Sequence, residues 1–174
     1  MNKDEIIATL CLKCGLCCNG ALFGDVELQR SDAAAPLKEA GLNPRRKRGG
    51  AQAIPQPCRA LGGDCRCSIY ENRPRHCRDF ECLLLGEVLD GTIKTATAQR
   101  VIRRAKKLYA EAEELIATLS DVAKGKPLRE RFRRISGILE TYDADDETLA
   151  VYGELTHVWL ELNHLLGTRF YRED

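Results

Sequence analysis

Nine cysteines, none later than Cys82, stand in three clusters: CLKCGLCC at Cys11 to Cys18, PCRALGGDCRC at Pro57 to Cys67, and HCRDFEC at His76 to Cys82. Thiolates at short spacing are the ligands of zinc sites and of iron–sulfur clusters. Cysteines serving as small buried hydrophobes would be scattered along the chain instead. A disulfide framework would leave one thiol over, because nine is odd. Metal or redox chemistry is the expectation.

Cys11-x2-Cys14-x2-Cys17 is predicted to place three thiolates on one tight loop, with the spacing of the first three ligands in bacterial ferredoxin loops. The same CxxC element opens four-cysteine zinc sites, so the spacing speaks for metal without choosing between the two. Gly15 suits either, because a loop closing round a metal needs a residue that tolerates positive φ and leaves N–H groups free to bond sulfur. Cys17 and Cys18 are adjacent, and neighbours in an extended loop point in opposing directions, so they are not expected to bind one metal atom. Cys77 and Cys82, if carried on one helix, lie about 140° apart and would face different centres.

The chain resembles the CxxCxxCC family of bacterial and archaeal proteins, described as zinc- or iron-chelating domains, at four blocks in the right order. These are CLKCGLCC from Cys11, PCRAL at Cys58, CSIYENRP from Cys67 and CRDFEC from Cys77 to Cys82. The resemblance covers about residues 11 to 82, and a related cysteine region occurs in flagellin lysine N-methylases. It implies eight metal-associated cysteines: Cys11, Cys14, Cys17, Cys18, Cys58, Cys67, Cys77 and Cys82. Eight thiolates exceed the four that one zinc ion or one cubane takes. Either two sites exist, or one exists and the remaining cysteines have another role. Cys65 falls outside the family pattern and is expected to be dispensable for metal binding.

Arg59, Arg66, Arg73, Arg75 and Arg78 lie near the later cysteines, where guanidinium groups would offset an anionic four-thiolate site. The competing expectation is ordinary surface arginines, with Arg73 and Arg78 bonding Glu71 or Asp79. His76, beside Cys77, is read as a neighbour of the site or an exposed residue rather than a ligand. His157, Glu161 and His164 share one helical face, but on the side opposite the apolar stripe, which indicates solvent. The runs Arg45 to Arg48 and Arg129 to Arg134 lack interleaved aromatics or a docking motif and read as solvated surface. No spacing of a DNA-reading zinc finger accompanies the cysteines.

Lys plus Arg (27) balances Asp plus Glu (26), evenly in both halves, so no global field points to nucleic acid or membrane. The apolar stretch Ile6 to Leu10 is too short for a signal peptide, and nothing approaches a membrane span. A soluble cytoplasmic protein is expected, in a compartment that keeps thiols reduced.

Elements must position these thiols. DVELQ, Asp25 to Gln29, alternates like a short strand, and Ser31 or Asp32 is predicted to cap a helix that ends near Ala40. Arg45 to Pro57 reads as a loop. Cys65 to Tyr70 reads as a turn and short strand, and a single helix is predicted from Pro74 to Leu89, stopped by Asp90-Gly91. Beyond that, Val101, Ala105, Leu108, Ala112, Leu115 and Leu119 recur at spacings of four and three, marking a helix over Ala98 to Leu119. A second helix carries Leu128, Phe132, Ile135 and Leu139. A third carries Leu149, Tyr152, Leu155, Trp159, Leu162 and Leu166, capped by Asp145 or Asp146 and ended by Gly167.

The expected fold is mainly α: a cysteine-rich, metal-nucleated region (1–92) with a few short strands, packed on a C-terminal helical bundle (93–174). The leading functional expectation is an iron–sulfur protein, holding a 4Fe-4S cluster, with a redox or electron-transfer role that supports a methyl-transferring or other enzyme. The competing class is a zinc protein with structural four-cysteine sites whose helical half binds a protein partner.

Overall fold

The computed structural model describes residues 2–119, 123–141 and 143–171. Its first element is helix α1 (Lys3–Cys14), opened by a reciprocal cap: the Asn2 side chain accepts from the Glu5 N–H, and the Glu5 carboxylate accepts from the Asn2 N–H. Cys11 and Cys14 thus sit on the last turns of a helix, not on the tight loop expected for all three of the first cysteines. Gly15, at φ 73°, takes the left-handed position that ends the helix and turns the chain into Leu16 to Gly20.

Strand β1 (Asp25–Glu27) matches the sequence expectation. The predicted loop over 45–57 instead holds two strands, β2 (Arg45–Arg46) and β3 (Gln52–Pro55). The glycines that suggested a loop form a hairpin turn, closed by hydrogen bonds from Lys47 N–H to Ala51 O and from Gly50 N–H to Lys47 O. Strand order is β1-β3-β2, antiparallel, with Val26 opposite Ile54 and Arg45 opposite Ala53. Helix α2 (Ala34–Glu39) starts at Ala33 without a side-chain cap. Asp32, the predicted cap, accepts from the Gln29 and Arg75 N–H groups at 2.8 Å each, tying this segment to the later cysteines. Leu37, Leu42, Ile54 and Ala60 form a small core under the sheet.

Between Leu61 and Leu89 the predicted strand reduces to one antiparallel bridge, Leu61 to Cys67, followed by a 3-10 turn, Tyr70–Asn72. The predicted single helix is two, α3 (Arg75–Asp79) and α4 (Leu83–Leu89). Two local interactions outcompete continuation of the helix. Phe80 becomes extended and packs edge-on against Phe23 at 4.8 Å, and Cys82 caps α4, its Sγ accepting the Leu85 N–H at 3.4 Å.

The remaining helices are α5 (Thr95–Thr118), α6 (Leu128–Leu139) and α7 (Asp146–Arg169), the last capped by Asp145. The predicted stop at Gly167 is overrun because Phe170, 1 % exposed, must reach the core. Leu149, assigned to the apolar stripe, is exposed, and Arg131, assigned to the surface, is buried in an ion pair with Glu113. Tyr152 to Ser136 and Arg129 to Asn163 hydrogen bonds show that α6 and α7 run antiparallel. Ile6, Leu10, Leu16, Leu84, Leu85 and Val88 join Ala105, Leu108, Leu155 and Leu162 in one core, so α1 and α4 pack directly on the long helices. The fold is mainly α with one small sheet. Among the described residues no helix is long and apolar enough to cross a membrane.

Candidate metal centre

All nine cysteines line one cavity of about 690 Å³. α1 supplies Cys11 and Cys14; the turn after Gly15 supplies Cys17 and Cys18. The segment after β3 supplies Cys58, Cys65 and Cys67, α3 supplies Cys77, and the cap of α4 supplies Cys82. Each is half-buried and no disulfide links any of them. Backbone hydrogen bonds tie the segments together, Cys58 N–H to Cys18 O at 2.7 Å among them.

The thiols fall into two groups by the charges each one senses. Cys11 is pushed up to about 12 by burial, then by Cys82 and Cys14. Burial pushes Cys14 to about 11, with Cys82 and Cys65 adding to it, against the Leu16 N–H and Lys106. Cys17 is raised well above the usual thiol range by burial and then by Cys14, Cys18, Cys82 and Cys11. Cys18 is pushed to about 12 by burial and then by Cys58, Cys77, Cys67 and Cys14. Cys77, at about 11, is raised by burial, Cys58 and Cys67. Cys58 is raised by burial and Cys67, and held back by the N–H groups of Ala60 and Leu61. Cys11, Cys14, Cys17 and Cys82 thus act on one another, as Cys18, Cys58, Cys67 and Cys77 do, and the two sets are joined through Cys14, Cys17 and Cys18, with Cys65 adding to Cys14. Cys17 and Cys18 are adjacent yet act mainly on different partners, and the helix expected to carry both Cys77 and Cys82 is broken between them.

The spacing is that of mutual electrostatic reach. Among the described residues no group of three or more His, Cys, Asp or Glu side chains is already drawn together as for a metal ion. The donor set nevertheless fits a thiophilic metal. Neutral thiols are favoured while no cation is present, and a metal would replace the mutual repulsion of the thiolates with attraction.

The charge of Arg73 reaches thiols of both sets, lowering Cys11 and Cys77. Its Nε donates to Tyr70 O at 2.7 Å and its guanidinium lies 3.5 Å over the Tyr70 ring. Arg75 pairs with Asp79 and Arg66 with Asp64 at exposed positions. His76 is exposed, its Nε2 2.8 Å from the Gln29 amide nitrogen. His157 and His164 are exposed and Glu161 pairs with Arg104, away from the cavity.

Sequence reasoning gave no signal for several residues that bind the helices to the cysteine segments. Tyr109 donates to Asn19 O at 2.9 Å, Tyr171 donates to Leu22 O, and Leu83 N–H donates to Phe170 O. Gly20, at φ 87°, permits the cysteine turn to reach α6, since a Cβ there would stand 3.1 Å from Pro127 Cα. Gln56, 3 % exposed, lines the cavity.

The fold and this gathering of thiols define a cysteine-rich metal-binding domain. The chain belongs to the CxxCxxCC family, whose model, described as "Putative zinc- or iron-chelating domain", matches residues 10–113 and so extends from the cysteine clusters into α5. No curated protein and no solved structure matches it.

Raised thiol pKa values make metal uptake proton-coupled. Burial keeps Cys11, Cys14, Cys17, Cys18, Cys58 and Cys77 protonated at neutral pH in the absence of metal, and each one that ligates must release its proton, so affinity rises with pH. Chelator competition from about pH 6 to about pH 8 is expected to show at least a tenfold gain in apparent affinity for zinc; a flat profile would refute ligation by these thiols. The metal-free fold has the opposite dependence. Its contribution from protonated buried thiols is complete below the ordinary thiol value of 9.0 and is lost as pH rises towards about 12.

Proposed function

We propose that this is an iron–sulfur protein of the reducing cytoplasm that holds two four-thiolate centres and exchanges electrons with a protein partner, in support of a methyl-transferring or other enzyme. The observation that carries the reading is that all eight cysteines of the family pattern line one cavity, twice the number that one four-thiolate centre can use. Cys11, Cys14, Cys17 and Cys82 would hold one centre, and Cys18, Cys58, Cys67 and Cys77 the other. The space favours clusters over bare ions: four sulfurs at about 2.3 Å from a zinc ion close on it and leave no void, whereas a cubane brings its own iron and sulfide to fill volume. When bound, such clusters supply one-electron transfer.

What the chain itself contributes is separation and charge. The quartets adjoin through the peptide bond between Cys17 and Cys18, a short path between centres. Arg73 lies within reach of both and offsets their negative charge. Phe23 and Phe80 line the cavity and pack edge-on against each other in its wall.

Anaerobic purification followed by metal and sulfide analysis tests the reading. A brown protein with broad visible absorption and about eight iron atoms per chain is expected, four from each cubane. A colourless protein with two tightly held zinc ions would establish the structural alternative.

A further inference from the structure

We propose that Lys106 of α5 is a fixed cation that tunes the Cys11, Cys14, Cys17 and Cys82 centre, with Cys65 as the sulfur that holds it in place. The inference rests on the two-centre reading above.

Lys106 Nζ stands 3.1 Å from Cys65 Sγ and 3.1 Å from the carbonyl oxygen of Lys13, the residue before Cys14. It is half-buried, so its charge is less screened than that of a surface lysine. Cys65 is held against the turn joining Cys14 to Cys17: its Sγ lies 3.3 Å from the point a Gly15 Cβ would occupy. Cys65 is also the one non-glycine among the described residues with positive φ, at 66°. That unusual backbone directs a sulfur outside the two quartets at the ammonium, and gives the ninth cysteine a role that metal ligation does not.

A centre of four thiolates with either metal is net anionic. A lysine held at its edge compensates that charge permanently, favouring the ligated form and, at a cluster, the reduced state. Arg73 acts on thiols of both sets, Cys11 and Cys77, whereas Lys106 acts on Cys14 of the first.

The test uses the full chain loaded with metal, comparing wild type with Lys106→Gln, Lys106→Arg and Cys65→Ala by chelator competition and, for iron-loaded protein, by redox titration. Lys106→Gln is expected to weaken one of the two centres by about tenfold to a hundredfold and to move its potential negative, leaving the other in place. Lys106→Arg should restore most of both properties. Cys65→Ala should move the same centre in the same direction by less, with both metals still bound. A two-metal wild type in which Lys106→Gln changes neither centre would overturn this inference alone. So would a general loss of both centres with a lowered melting temperature, since that marks a structural role, and so would loss of a metal in Cys65→Ala, since that marks a ligand. A wild type that takes up no metal or one metal would overturn the two-centre reading and this inference with it.

Discussion

Stripping metal from the loaded protein is expected to unfold the segment from β1 to the 3-10 turn at Tyr70 while α5 and α7 stay folded. That segment has a core of only Leu37, Leu42, Ile54 and Ala60, with Leu28, Ala40, Cys58, Cys67 and Ile69 packed around it. So few apolar side chains cannot offset the conformational entropy of ordering some 45 residues at about 1–2 kcal/mol each. Metal ligation through Cys58 and Cys67 would supply the difference, since structural zinc contributes on the order of 10–16 kcal/mol in small thiolate domains. The long helices need no such help, because Ala105, Leu108, Ala112, Ile116, Leu155 and Leu162 are nearly or fully buried against one another and their neighbours. Hydrogen exchange with and without a chelator measures this directly. Amides of β1, β3 and the bridge at Leu61 should lose protection by about a hundredfold or more, and those in the middle of α5 by far less. Equal protection in both states would show that metal does not organise this part of the fold.

Cys17→Ser and Cys18→Ser are expected to remove different metals. Cys17 is raised by Cys14, Cys18, Cys82 and Cys11, whereas Cys18 is raised by Cys58, Cys77, Cys67 and, last, Cys14. Each single variant should retain about half the wild-type metal, one site of four thiolates having been lost. Adding Cys82→Ser to Cys17→Ser should cost little more, and adding Cys77→Ser should empty both centres. The pairing of second substitutions makes the measurement specific: loss of the same metal by both single variants would mean one shared site. Alkylation of the loaded wild type followed by peptide mapping gives an independent check. Both thiols should be protected, because on the two-centre proposal each would be a ligand; rapid modification of one with metal retained would indicate a single centre beside a reactive thiolate.

The helices from α5 onwards were legible because their apolar residues recur with helical period and their ends carry local signals such as Asp145 and Gly125-x-Pro127. The hairpin of β2 and β3 was not, since two- and four-residue strands show no periodicity and β3 owes its place to pairing with β1 on one side and β2 on the other. Helix α1 was missed because its cap and its stop, Asn2 and Gly15, were outweighed by the cysteine spacing, which looks the same on a helix end as in a loop. The break at Phe80 was equally invisible: CRDFECLLL is compatible with a continuous helix, and it takes the contact of Phe80 with Phe23 and the capping of α4 by Cys82 to interrupt it.

By itself the sequence determined that thiols would be concentrated for metal and which family the chain belongs to, because residue type and spacing are properties of the local chain. Only the tertiary structure decided which distant cysteines line the same part of the cavity. Cys82 joins Cys11, Cys14 and Cys17 because α1 and α4 pack side by side on the long helices. Cys58 and Cys67 join Cys18 and Cys77 because the sheet, Asp32 and the bond from Cys58 to Cys18 draw those segments together. Lys106 shows the limit most clearly. On the helical wheel of α5 it is one more polar residue, and its meaning comes from the folding of a turn more than forty residues earlier against that face, where Cys65 meets its ammonium.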